Sequence, residues 1–333
     1  MSSGTVSEWC TATSGASDVT DSPYRVTALG GGHGLYASLS ALRRLPVDLT
    51  AVVTVADDGG SSGRLRSEFG VLPPGDLRMA LAALCGDDEW GETWARVLQH
   101  RFAGTGEMNG HVVGNLLIVS LWEQLGDHVQ ALDWVGRLLG ARGRVLPMAL
   151  TPLDISAEVR GVDLAHPDAL TTVRGQVAVA TSEGSIESIS LIPPDLRPCP
   201  EAVAAVRAAD AVVLGPGSWF TSVLPHLMVP DLREALLETD GHLVVVLNLE
   251  AQDGETDGYA AADHLAVLLD HAPDLPVGTV LVDQREAGDL SDLERLVKTC
   301  GARLVIDDVA GEDGAPRHDP AKLAGAYARL LDV

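Results

Sequence analysis

Lysine is almost missing from this chain of 333 residues: of its 23 basic residues only Lys298 and Lys322 are lysines, and the rest are arginines. A Walker-type phosphate loop needs a lysine directly after its glycines, and Schiff-base chemistry needs one in a pocket. Neither is available upstream of Lys298. Cysteine is scarce as well. Cys10, Cys85, Cys199 and Cys300 are scattered with no C-x-x-C pair, so a zinc knuckle or disulfide framework has no support and reduced, mostly buried thiols in a cytoplasmic protein are expected. Positive charge is outweighed by 47 Asp and Glu, for a balance of −24. Such a surface repels phosphate backbones and anionic lipid, which excludes nucleic acid as an expected partner. No apolar run approaches the roughly 20 residues of a bilayer crossing, so no membrane insertion is expected. Yet the chain is 46% hydrophobic, too apolar for an acidic disordered protein.

Ten of residues 2–23 are Ser or Thr and no basic segment precedes an apolar core, so 1–23 reads as a disordered tail and not a signal peptide. Residues 24–333 read as one α/β domain. A strand at 25–30, a helix at 34–45 and a strand at 49–55 open it as a βαβ unit. A long polar loop at 56–75 follows, then helices near 76–84, 92–101, 111–125 and 127–139. Between about 145 and 192 short alternating segments predict a small antiparallel β insertion. Strands at 211–214, 242–248, 279–283 and 303–306 then alternate with helical patterns, the last from Pro320. The expected fold is a doubly wound, mostly parallel, Rossmann-like sheet in three α/β/α layers.

Glycine gathers where strands hand over to helices. Gly30, Gly31, Gly32, His33 and Gly34 end the first strand, where free N–H groups at a helix start attract phosphate. Leu35 falls where the last glycine of G-x-G-x-x-G belongs, so the dinucleotide fingerprint is imperfect. Asp57, Asp58, Ser61, Ser62, Arg64 and Arg66 lie beyond the second strand. The two aspartates suit Mg²⁺ against a diphosphate, or a ribose, and the two arginines suit phosphate oxygens. Asp76 caps the following helix or binds ligand. His111 and Asn115, four apart on an apolar helix, point to a pocket. Gly215, Gly217, Ser218 and Thr221 form a second anion-binding helix start. Asn248 ends a strand, Tyr259 is placed to stack on a ring, and Arg317 precedes the last helix, where it is placed to pair with the diphosphate.

Taken in order, GGGHGL, VTVADDGGSSGRLR, LPPGDLR, GHVVGNLL, LGPGSWFTSVLPHL and GETDGYAAADHL resemble the YvcK family, also called gluconeogenesis factors, within the superfamily of CofD, the 2-phospho-L-lactate transferase. The resemblance runs from about residue 25 to the C-terminus. It departs at His33, where threonine is usual, and at Glu250-Ala251, where Met-Thr is common. It implies a Rossmann-like fold and a cytoplasmic regulator that binds UDP-N-acetylglucosamine and links carbon supply to cell-wall synthesis and cell shape. No cofactor is required by this reading, Mg²⁺ accompanies a diphosphate ligand, and a homo-oligomer is expected. Two other readings stay open. A CofD-like transferase would use a nucleotide-activated phospholactate, Mg²⁺ and a deazaflavin acceptor, for which 13 aromatic residues are few. An NAD(P)-dependent oxidoreductase is weakened by the broken glycine spacing.

Overall fold

The computed structural model describes residues 23–251, 255–256, 258–286, 290–312 and 314–333. Residues 1–22 of the tail expected at 1–23, and Gly254 and Asp257 of the GETDGY segment, lie outside the described residues. Strands β1 (Tyr24–Gly30), β2 (Val47–Val53) and β3 (Arg144–Pro147) enter the main sheet first. The strands β4 (Asp154–Arg160), β5 (Leu170–Arg174) and β6 (Ser185–Ile192) form a separate antiparallel sheet in the order β5-β4-β6. The chain then returns to the main sheet with β7 (Ala211–Leu214), β8 (His242–Val246), β9 (Val277–Asp283) and β10 (Arg303–Asp307). The result is a parallel seven-stranded sheet in the order β10-β9-β8-β7-β1-β2-β3.

The central strands are continuous apolar runs because helices cover both faces of a parallel sheet; all four residues of β7 are buried. On one side α1 (Gly32–Leu42) packs against α3 (Gly75–Ala83) and the C-terminal helix Pro320–Leu331. The helices Pro200–Ala208 and Pro230–Leu237 form another packed pair. From β1 the chain builds outward to β2 and β3, then restarts at β7 on the opposite side of β1 and builds the other way. The boundary between β1 and β7 is therefore the topological switch point, where two helix-bound loops diverge and open sheets hold ligands. Among the described residues no helix is long and apolar enough to cross a membrane.

Three local expectations change. The polar stretch at 56–75 is not a continuous loop, because α2 (Gly60–Phe69) occupies half of it. Only Ser61, Ser62 and Leu65 of α2 are buried, so it shows no apolar periodicity, although Gly70 ends it in the left-handed conformation. The helix expected from residue 111 is α5 (Val113–Leu125), with His111 before its cap. The segment from Val145, expected to open the meander, is the edge strand β3, paired with β2; antiparallel pairing starts at Asp154. Between α3 and α5 lies α4 (Glu89–Gln99), and α5 is followed by α6 (His128–Leu139), while α7 (Gln176–Ala180) sits within the small sheet's connections.

Candidate functional site

A cleft of about 390 Å³ opens at the switch point, with walls that include His33 and Gly34 after β1, Gly217 after β7, Asn248 after β8, and Arg317 and His318 before the C-terminal helix. Its floor requires glycine. A Cβ on Gly34 would lie 2.1 Å from the Pro216 carbonyl oxygen and 2.5 Å from Gly217 Cα, so the two loops touch backbone to backbone. Ser38 of α1 holds the second loop by donating to the Gly215 carbonyl at 3.0 Å. Asn248 clamps it from the other side: its Nδ2 donates to the Gly217 carbonyl at 2.9 Å and its Oδ1 accepts from Gly217 N–H at 2.8 Å. Asn248 thus positions the loop.

The far wall hangs on one carboxylate at the end of β9. Asp283, fully buried, accepts from the backbone N–H of Val309 at 2.8 Å, of Ala310 at 2.9 Å and of Arg285 at 2.8 Å. Gly311 N–H donates to the Arg317 carbonyl at 3.0 Å, which carries the hold to the cleft. His318 is buried, and burial pushes its pKa down to about 4, so the ring is neutral; its Nε2 has no hydrogen-bond partner. Arg317 is exposed and lines the cleft, as does Glu250. An anionic ligand would therefore meet the Arg317 guanidinium and the first turn of α1 at His33 and Gly34, because Gly217 N–H is already given to Asn248 and Gly32 N–H to Asp76.

Beside the cleft, on the other side of the first glycine turn, lies a buried cluster of opposite character. Asp57, half-buried beyond β2, accepts from Gly59 N–H at 2.9 Å, and its Oδ2 lies against Gly75, where a Cβ would come within 2.3 Å. Asp76, in the first turn of α3, is buried and accepts from Gly32 N–H. The N-cap of α3 is Pro74, and Asp76 sits instead on the start of α1. Burial first, and then the neighbouring Asp57, raise its pKa to about 7. Asp76 Oδ2 has no partner, nor does Oδ1 of buried Asn115, whose Nδ2 reaches Ser62 Oγ at 3.4 Å. These oxygens can accept from hydroxyls or ligate a hard cation. They repel a bare phosphate.

Other expected residues have different tasks. Asp58 points to the insertion: its Oδ1 accepts from Val177 N–H at 3.0 Å and its Oδ2 lies against Gly175, so it serves the start of α7 and does not share a partner with Asp57. Among the described residues no three His, Cys, Asp or Glu side chains converge as a metal cluster. Arg64 donates to the carbonyls of Asn109 at 2.7 Å and Glu107 at 2.8 Å, and Arg66 pairs with Asp154 of β4 at 2.5 Å. The first braces the loop before α5 and the second ties α2 to the insertion. His111 meets Ser61 Oγ at 3.2 Å, and burial lowers its pKa. The second expected anion seat carries a carboxylate of the chain: Glu255, buried, accepts from Ser218 Oγ at 2.5 Å and from the N–H groups of Phe220 and Thr221. Burial raises the Glu255 pKa. Tyr259 packs 5.6 Å from the His264 ring and is not among the cleft walls with Arg317. Asp283, Glu255 and His318 were not singled out by the sequence, although Asp283 closes an apolar strand and Glu255 lies inside the GETDGY segment.

A family described as 2-phospho-L-lactate transferase CofD matches residues 26–310. A protein of Mycobacterium tuberculosis is 53% identical over 302 residues, covering 90% of this chain and 88% of its own. Gluconeogenesis factors of Halalkalibacterium halodurans and Bacillus subtilis are 36% and 34% identical, each over 90% or more of both chains. A crystal structure of a UPF0052-family protein from Bacillus halodurans superposes with a TM-score of 0.81 at 35% identity, covering 92% of this chain and 98% of that one.

Proposed function

This chain belongs to the CofD family, among its gluconeogenesis factors, and from that premise we propose that it is a cytoplasmic regulator that binds UDP-N-acetylglucosamine in the switch-point cleft and links carbon supply to peptidoglycan synthesis and cell shape. The cleft carries this reading: the start of α1 at His33 and Gly34, packed backbone to backbone on the second glycine turn in a cleft that Arg317 also lines, would seat a diphosphate. The neutral His318 ring gives its one proton to the Leu247 carbonyl, so its Nε2 is an acceptor suited to a sugar hydroxyl. Asp76 on Gly32 N–H is the obstacle, since its carboxylate and a phosphate compete for the same helix start. Mg²⁺ resolves that conflict. Asp57 and Asp76, with the unpartnered Asn115 Oδ1, fit a hard cation better than Asp57 and Asp58 do, and the ion would neutralise charge between carboxylates and diphosphate. The same acid pair favours one second reading, a phospholactyl-type transferase in which Asp57 and Asp76 hold the ion.

Calorimetry with UDP-N-acetylglucosamine, UDP, GDP and NAD, with Mg²⁺ or EDTA, tests the proposal. UDP-N-acetylglucosamine should bind best, and Arg317→Ala should weaken it about tenfold to a hundredfold, the scale of a charge-assisted hydrogen bond, with unchanged melting. Chelation should weaken binding to the parent chain and leave Asp76→Asn unaffected. Tighter binding of GDP or NAD, or an Arg317→Ala variant with full affinity, would sink the reading.

A further inference from the structure

At the edge of the main sheet opposite the cleft, the charge balance of the chain is reversed. β2 and β3 are parallel neighbours with Thr50 beside Arg144, so the turns that lead into them, 43–46 after α1 and 140–143 after α6, arrive side by side. Gly143 permits the approach, because a Cβ there would lie 2.8 Å from the Leu49 carbonyl oxygen. Its neighbour Arg142 donates its backbone N–H to the Leu84 carbonyl at 2.9 Å, which fixes the second turn to the end of α3. An open cavity of about 490 Å³ lies here, and Arg43, Arg44, Arg142 and Asp48 are among its walls. Three arginines to one aspartate inverts the proportion of a chain with 47 acids and 23 Lys and Arg. The arginines differ. Arg43 caps the C-terminus of α1, where helix carbonyls favour a cation. Its side chain is only 9% exposed and grips Asp87 twice, Nη1 at 3.0 Å and Nη2 at 2.5 Å, while its buried Nε has no partner. Arg44 and Arg142 are exposed and, among the described residues, form no ion pair. The Arg43 hydrogen bonds first, and then the charges of Arg43, Arg44 and Arg142, hold the Asp87 carboxyl below its ordinary range, so all three guanidiniums stand within electrostatic reach of one carboxylate. Asp48 is opposite Arg25 in the register of β1 and β2 and is shared with it.

We propose that this cavity binds a small phosphate-bearing solute, with Arg44 and Arg142 on the phosphoryl oxygens and Arg43, held by Asp87, as the rigid wall beside them. Charge sets the class of ligand. Asp87 neutralises Arg43, which leaves two guanidiniums against one shared carboxylate, and a phosphate ester brings about two negative charges near neutral pH. A planar guanidinium meets two phosphate oxygens at once, and arginines from two separate turns approach one phosphoryl group from different sides. A buried donor without an acceptor is costly, and the Arg43 Nε–H belongs to a residue of this same wall. Size and the wider field set the limit. The volume suits a small molecule, and a net charge of −24 repels a long polyanion that would reach beyond the arginines. This site is separate from the cleft. The 11-residue helix α1 runs between them, from Gly32 at the glycine turn to Leu42 next to Arg43, a span of about 16 Å.

Calorimetry of the full chain with pyrophosphate, inorganic phosphate and citrate, at low salt and at about 0.15 M salt, decides the matter. Pyrophosphate should bind at both salt concentrations, and more tightly than citrate. Arg44→Gln and Arg142→Gln should each weaken it about tenfold or more with unchanged melting, since both side chains are exposed. Arg317→Ala, which alters the cleft, should leave this binding in place. Phenylglyoxal labelling read by mass spectrometry gives the same answer on the parent chain: pyrophosphate should shield Arg44 and Arg142, while exposed Arg303 on β10 keeps its rate. A parent chain that does not bind pyrophosphate overturns the proposal, as does binding that disappears at the higher salt, which would be counterion attraction alone. So does binding lost with Arg317→Ala but kept in Arg44→Gln and Arg142→Gln, or tighter binding of citrate.

Discussion

The switch-point cleft and the acid cluster flank the same turn, Gly31 to Gly34, and are built in contrary ways. In the cleft the surface is backbone: Gly34 against Pro216 and Gly217, steadied by Ser38 and Asn248, with Arg317 and Glu250 as the charged side chains that line it. In the acid cluster it is side chain: Asp57, Asp76, Ser62 and Asn115 lie together, with Asp76 Oδ2 and Asn115 Oδ1 unmatched. A backbone surface tolerates little change of shape but carries little charge. A side-chain surface tolerates shape change but responds to protons and ions.

The largest effect should come from testing shape. Gly34→Ala sets a methyl into backbone at 2.1 Å and should cost more than about 4 kcal/mol, read as a fall in the urea midpoint, because neither loop can yield without parting β1 from β7. Gly75→Ala meets only the side-chain oxygens of Asp57 and Ser62, which can turn aside, and should cost about 1–2 kcal/mol. Equal costs would erase the contrast. The next effect tests charge. With a folded pKa of about 7 against an unfolded value near the usual 3.8, Asp76 holds its proton in the folded chain over that window. The unfolded chain releases it first, so stability declines as pH rises from about 4 to about 7 and then levels. Asp76→Asn should remove this slope and gain up to about 4 kcal/mol at pH 8 in denaturant titrations. Saturating Mg²⁺ should flatten the slope of the parent chain, and a slope common to both proteins would assign it to other groups. The smallest effect is expected outside both regions. Arg64→Ala, at an exposed side chain bonded only to loop carbonyls, should change stability by less than about 1 kcal/mol and leave nucleotide affinity alone. A marked affinity loss in calorimetry would bring Arg64 back to the cleft.

Much of the cleft was legible because its signals are local. Glycines at the ends of two apolar strands place both turns, and alternating strands and helices place them on one sheet edge. The acid cluster was less legible. Asp57 and Asp58 are chemically identical neighbours, and only the chain path shows that one faces α3 while the other faces α7. Arg64 and Arg66 looked like a joint clamp within a loop; once that segment is α2, residues two apart point to different sides, one to Asn109 and the other to Asp154. His111 and Asn115 share the Ser61–Ser62 turn although no helix joins them, since His111 precedes α5. Asp283 and His318 act through contacts between distant segments, for which a single sequence has no spacing rule.

The division of labour between Asp57 and Asp58 has a mechanical side. One planar peptide joins them, and it does not bend. On one end hangs the carboxylate beside Asp76 and the glycine turn; on the other, the carboxylate on which α7 begins. Arg66, two turns into the helix that follows, grips β4 through Asp154, which Arg174 of β5 also holds at 2.6 Å. The two carboxylates, one peptide apart, thus anchor different bodies: Asp57 stands by the glycine turn, and Asp58, with Arg66 further along, holds the small antiparallel sheet and its short helix.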